Sequence, residues 1–144
     1  MVNTFSNCQK LSMGAMPLET VRNAYGTYSN CQNLTGPPIS TSNITCMDFM
    51  YENCRNITGS PACGPAVTDM YMTYDNCIRL TGVPAIGPSV IRAQYAYYNC
   101  TNIVGGQAKI TIGYSMANMY RTFDNCRKLF ADWGMEIEIL SPSV

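Results

Sequence analysis

The sequence contains no histidine, a single tryptophan and few charges: Lys plus Arg and Asp plus Glu number nine each, 12% of 144 residues. Without histidine the common Ser–His and Cys–His nucleophile–base pairs cannot be built. Zinc sites usually rest on His or on close cysteine pairs such as C-x2-C, and no such pair occurs. The thin, balanced charge provides no basic field for phosphate backbones, so nucleic acid is not an expected partner. No run approaches the ~18 apolar residues of a membrane span, so no membrane insertion is expected. The opening stretch Met1 to Cys8 lacks the basic start and apolar core of a secretory signal, so no signal peptide is expected in the chain. A phosphate-cradling G-x-x-x-x-G-K-[ST] loop is missing too, and Glu136 with Glu138 reads as a solvated strand edge. These absences point to a non-enzymatic protein with no cofactor and no metal.

What is present is a repeat. A tetrad of aromatic, any residue, Asn, Cys begins at Phe5, Tyr28, Tyr51, Tyr74, Tyr97 and Phe123. The first four steps are 23 residues; the last is 26, which places three extra residues between Gly105 and Gly113. Other columns follow. Leu11, Leu34, Ile57, Leu80, Ile103 and Leu129 come three after each Cys; Val21, Ile44, Val67, Val90 and Met116 come seven before the next aromatic. A fixed period of this size marks stacked units that bury a shared core only when several are joined. The expectation is one domain over 1–144, closed by a cap at about 130–144, where Trp133 to Leu140 breaks the repeat and alternates Glu with Ile.

Within a unit, Val67, Met70, Tyr74 and Cys77 are spaced three, four and three, which predicts one stripe along a helix of roughly three turns. Leu80 to Ile86, like Leu34 to Ser40 and Ile57 to Cys63, alternates, and predicts a short extended rung of a parallel sheet. Gly64-Pro65 and Gly87-Pro88 then turn the chain into the next helix. The expected class is therefore α/β, with one short strand and one helix in each of about six repeats.

The column cysteines Cys8, Cys31, Cys54, Cys77, Cys100 and Cys126 are expected to fill a tight apolar column as free thiols. Helices stacked ~8–10 Å apart would leave them too distant for disulfides. Cys46 and Cys63 lie off the column, and nothing selects a partner for them. The preceding Asn7, Asn30, Asn53, Asn76, Asn99 and Asn125 suit a left-handed helix terminus and a stacked amide ladder; a ligand site is the alternative. Sequons at Asn33, Asn43, Asn56 and Asn99 would accept glycans in an exported protein.

The unit, with Tyr74-Asp75-Asn76-Cys77-Ile78-Arg79-Leu80-Thr81 and Val67-Thr68-Asp69-Met70 as its clearest matches, resembles the BspA-like leucine-rich repeats of bacterial surface proteins, and also looks similar to Asn-Cys-rich repeats of gut bacteria and their phages. The resemblance covers essentially the whole chain. It implies a right-handed leucine-rich-repeat-like solenoid and a role in adhesion to proteins or glycans. Two departures stand out: Thr-Gly-x-Pro replaces the family's apolar strand core, and the chain opens inside a repeat.

The expected function is a recognition surface that attaches to a protein or glycan on a cell or virus surface, with a location on a cell exterior or virus particle. A structural subunit that self-assembles into a fibre or virion appendage is the second reading, and an intracellular scaffold the third. Candidate contact residues are the hydroxyl column Ser12, Thr35, Thr58 and Thr81, and Tyr25, Tyr71, Tyr95, Tyr98 and Tyr120, which serve either as contact surface or as cover for helix joints. A homo-oligomer, or an end-to-end contact with a different chain through the uncapped N-terminal repeat, is also expected.

Overall fold

A computed structural model describes residues 1–12, 19–105, 110–129 and 137–139. Among them there is no helix, which overturns the α/β leucine-rich-repeat-like solenoid with a helix per repeat. The proposed cap residues Trp133, Gly134, Met135, Glu136 and Leu140 lie outside the described residues.

A chain of tight turns occupies the place of the expected helix. In the unit around Tyr74, the N–H groups of Thr73, Asp75, Cys77 and Leu80 donate to carbonyls three residues back, at Met70, Met72, Tyr74 and Cys77. The N–H groups between them leave the unit. Those of Met70, Met72, Tyr74 and Asn76 donate to the carbonyls of Arg92, Gln94, Ala96 and Tyr98 in the following unit, at 2.8–3.0 Å. An α-helix would spend all of these donors within itself. Here alternate donors stitch each unit, or rung, to its neighbour, and the same pattern recurs from Ala24 to Cys46 and from Ala93 to Asn118.

Two positions per rung enforce this path. Asn7, Asn30, Asn53, Asn76, Asn99 and Asn125 have φ of 57–62°, and Asn3, Gly26, Phe49, Met72, Tyr95 and Arg121 have φ of 52–58°. Two left-handed residues four positions apart interrupt an α-helix in each rung, and Asn accepts that conformation at lower cost than most residues. The three-four-three spacing nonetheless sends Val67, Met70, Tyr74 and Cys77 to the interior, each fully buried. Consecutive turns share the facing of a helix without its backbone.

Parallel pairing also falls elsewhere than expected. Isolated parallel bridges run through Asn23, Cys46, Asp69, Arg92 and Asn118. Thr45 and Cys46 both donate to the Arg22 carbonyl, and Thr68 with Asp69 to that of Thr45. The segments Leu34 to Ser40, Ile57 to Cys63 and Leu80 to Ile86 are irregular extended limbs, because Pro lacks a ladder donor and Gly36, Gly59 and Gly82 sit at φ of 83–87°. Among the described residues, strands form only where the lengthened repeat brings β1 (Ile110–Ile112) beside β2 (Ile137–Ile139), parallel, with Thr111 opposite Glu138.

The rungs lie close together. The aromatic column Phe5, Tyr28, Tyr51, Tyr74, Tyr97, Phe123 stacks ring on ring, with centroids 5.2–5.7 Å apart and planes within 17°. That is near the ~4.8 Å of a sheet rather than the ~8–10 Å of packed helices, so the distance argument against disulfides does not apply. All eight cysteines are nonetheless free.

Candidate recognition face

Most column side chains have a partner that accounts for their type. The Cys54 thiol donates to the Tyr28 carbonyl of the preceding rung at 3.0 Å, Cys77 to Tyr51 at 3.1 Å and Cys100 to Tyr74 at 2.9 Å. Burial raises these thiols far above their ordinary range, and Cys126 to about 12. They are thus held as protonated donors with little nucleophilic character. Tyr51, Tyr74 and Tyr97 brace the rung: each hydroxyl donates to the carbonyl of the residue twelve earlier, Ile39, Ala62 or Ala85, and accepts that residue's N–H. Asn53 donates to the Asn30 side-chain oxygen at 3.0 Å, Asn99 to Asn76 at 2.9 Å and Asn125 to Asn99 at 2.8 Å.

The four sequon amides are engaged as well. Asn33 donates to the Gln9 carbonyl, Asn43 to Glu19, Asn56 to Gln32, and Asn99 to Asn76 as above. A glycan on any of them would replace a rung-to-rung bond. The hydroxyl column is partly spent in the same way, since Thr35 donates to the Ser12 carbonyl at 2.6 Å and Thr81 to Gly59 at 3.5 Å. Ser12, Thr35 and Thr81 are exposed, and Thr58 is half-buried.

The tyrosines Tyr25, Tyr71, Tyr95, Tyr98 and Tyr120 come together on one face, and Phe49 joins them. Ring centroids follow one another at 5.3 Å from Tyr25 to Phe49, 5.2 Å to Tyr71, 6.2 Å to Tyr95 and 5.5 Å to Tyr120; Tyr98 packs on Tyr95 at 5.7 Å. The contacts are tilted or edge-to-face, unlike the flat stack inside. Tyr25 and Tyr120 are exposed, the other four half-buried. With no helices among the described residues, there are no helix joints there for these rings to cover.

The rings alternate between two adjacent columns. Tyr25, Tyr71 and Tyr120 occupy one, where Asp48 and Gln94 are the intervening residues; Phe49 and Tyr95 occupy the other, with Gly26, Met72 and Arg121 between. Each of the five rungs from Tyr28 to Phe123 therefore contributes one ring to this alternation, Tyr98 adding a second ring on the Tyr97 rung, and the face repeats every second rung. Phe49 sits at a left-handed position in a column of mixed residue types, which hides it from a search for uniform columns. Aligning the repeats and reading two neighbouring columns together would have found it.

A compact polar network borders the zigzag. Arg92 pairs with Asp69 at 2.5 Å and with Asp48 at 3.2 Å, and Asp48 also accepts the Tyr71 N–H at 2.8 Å. Burial raises the Asp48 carboxyl, partly offset by that N–H and by Arg92. Arg121 lies 5.7 Å from the Tyr120 ring centre and pairs with Asp124. A shallow depression of about 230 Å³, lined by Cys63, Pro84, Ile86 and Thr111, lies on the opposite limb. Its Cys63 thiol is pushed up to about 11 by burial and accepts the Gly87 N–H. Among the described residues no group of His, Cys, Asp and Glu could hold a metal ion. No protein family, curated protein or solved structure matches the chain.

Proposed function

We propose that the protein is a non-enzymatic attachment module, displayed on a cell or virus surface, whose aromatic zigzag contacts a partner. The single observation that carries this reading is the continuous run of six rings on one face, Tyr25 to Tyr120. Aromatic side chains give large contact area at low entropy cost and are enriched in interfaces. The partner is a protein. Edge-to-face packing hides part of each ring face, whereas sugar stacking needs whole faces, and the half-buried rings present edges and hydroxyls instead. The resemblance of the aromatic-x-Asn-Cys-x-x-Leu unit to BspA-like surface repeats supports the attachment role.

The test uses Phe49→Asn combined with Tyr95→Asn. Both positions are left-handed, where Asn is at home, so two rings are lost at little cost to folding. Labelled protein is measured on intact cells, on cells shaved with protease, and on a glycan array. The expected result is cell binding that disappears on shaving and in the double variant, with no signal on the array. An array signal lost in the double variant would replace the protein partner by a glycan. Absence of binding in every format, or binding indifferent to the two substitutions, would overturn the attachment reading.

A further inference from the structure

The aromatic face has a repeat length, and that length selects the shape of what can lie along it. Parallel bridges join successive rungs. At the ~4.8 Å spacing of hydrogen-bonded strands, the two-rung alternation of the rings recurs about every 9.6 Å. A polyproline II segment turns once in three residues of ~3.1 Å, or ~9.3 Å, and stays in step to within about 1 Å along all five rungs. An extended strand returns its side chains every ~6.7 Å and leaves register at the first repeat. An α-helix advances ~5.4 Å per turn and drifts by ~2 Å or more over the same length.

The chemistry of the face agrees with that shape. Among the described residues, the hydroxyls of Tyr25, Tyr71, Tyr98 and Tyr120 have no hydrogen-bond partner, and none is sealed from solvent. A polyproline II backbone makes no internal hydrogen bonds and its prolines carry no N–H, so it offers free carbonyls for such donors to meet. In one ring column the shorter Asp48 and Gln94 alternate with Tyr25, Tyr71 and Tyr120, which gives long and short side chains the same two-rung period. Aromatic-lined surfaces of this kind are a recurring seat for proline-rich segments, whose preset backbone has little entropy to lose.

Charge selects the residue that accompanies the prolines. Arg92 is paired with Asp48 and Asp69, and Arg121 with Asp124. Three residues beyond the Phe49 and Tyr95 column, Glu52 and Asp75 follow one another on successive rungs, and among the described residues no cation pairs with either. Burial, and then the Glu52 charge, raise the Asp75 carboxyl, and one of its oxygens has no hydrogen-bond partner. The amide ladder is open at the same step. Asn53 bonds to Asn30 and Asn99 to Asn76, but no bond joins Asn76 to Asn53, so the Asn53 side-chain oxygen is an uncommitted acceptor. A guanidinium, planar and with five donors, suits two carboxylates and an amide oxygen better than an ammonium does. We infer that the segment bound by the zigzag is a proline-rich stretch in the polyproline II form, running along the stack with an arginine placed at Glu52, Asp75 and Asn53. This inference rests on the reading of the zigzag as a protein-binding face.

Synthetic peptides test it against the full chain. The probe is a fluorescent oligoproline of about twelve residues with one central arginine, long enough to lie across the five rungs, and binding is read by anisotropy. It should bind saturably. Exchanging its arginine for glutamate should weaken binding about tenfold, and exchanging its prolines for glycine, which removes the preset backbone, by about tenfold or more. Phe49→Asn with Tyr95→Asn should abolish binding. Glu52→Gln, checked for folding by thermal unfolding, should cut the preference for arginine over glutamate about three- to fivefold. No binding of the arginine-bearing oligoproline, equal binding of the glycine peptide, or an arginine preference untouched by Glu52→Gln would overturn the inference. Cell binding that is lost on shaving and in the double variant would then leave the attachment face standing, so the two readings fail separately.

Discussion

Three residue types recur because each satisfies a backbone group that a close stack would leave stranded. Tyr74 is the clearest case: one buried hydroxyl meets both the carbonyl and the N–H of Ala62. Tyr74→Phe keeps the ring and strands two groups, so it should cost about 1–3 kcal/mol in urea unfolding, the usual toll of buried unsatisfied polar atoms. Asn53 combines φ of 57° with an amide bond to Asn30. Asn53→Gly should lose only the bond, about 1 kcal/mol, whereas Asn53→Ala should lose about 1–2 kcal/mol more through the left-handed backbone. Equal losses from the two variants would mean that backbone conformation does not select Asn. Asp75 behaves differently. Burial, and then the neighbouring Glu52 charge, raise its carboxyl from 3.8 to about 6, and one of its oxygens has no hydrogen-bond partner. The folded state therefore holds this proton more tightly than the unfolded chain. The contribution is fully present below about pH 4 and is lost as pH rises through about 6, on the order of 1–2 kcal/mol after allowance for solvent screening. Asp75→Asn should abolish that slope in a pH series of unfolding free energies; an unchanged slope would locate it in another group.

At the scale of the element, the sequence discloses facing far better than backbone. Val67, Met70, Tyr74, Cys77 and Leu80 are all buried, as their spacing predicts, yet they lie on turns. Hydrophobic periodicity reports only which side chains share a side, and turns of three and four residues share it as a helix does. The decisive information sat in the Asn column. Six asparagines at one position say that the position is left-handed, and a second left-handed site four residues earlier leaves no room for a helix. That second site carries Asn, Gly, Phe, Met, Tyr and Arg, so no composition rule reveals it. The recognition face was half legible for a related reason: five of its six rings stood out as outward tyrosines, but their alternation appears only once the rungs are in register. Glycines reveal close approach in the same indirect way. A Cβ on Gly64 would lie 2.3 Å from the Thr41 carbonyl, so Gly64→Ala should force neighbouring rungs apart and cost about 2 kcal/mol or more, read as a lowered urea midpoint. Far-ultraviolet circular dichroism of the intact chain should lack the α-helical double minimum, and strong helical bands would refute the chain of turns.

Across the whole molecule two periods coexist, 23 residues for the fold and twice that for the face. The fold repeats with every rung because the backbone bonds, the ring stack and the thiol bonds all join nearest neighbours. Such an array loses stability in steps as rungs are removed but remains foldable. The zigzag instead needs successive rungs to alternate, Tyr25 in one column, Phe49 in the next, Tyr71 back in the first. Removing residues 51–73 joins Met50 to Tyr74 in the proper register, yet it brings Phe49 and Tyr95 into one column on adjacent rungs. Removing 51–96 joins Met50 to Tyr97 and preserves alternation, since Phe49 is then followed by Tyr120. Both shortened chains should fold, the shorter one with the lower melting temperature. Their binding to intact cells should run in the opposite order, the two-rung deletion retaining more than the one-rung deletion despite fewer rings. Affinity that falls simply with the number of rungs removed would show that ring count, not alternation, governs contact.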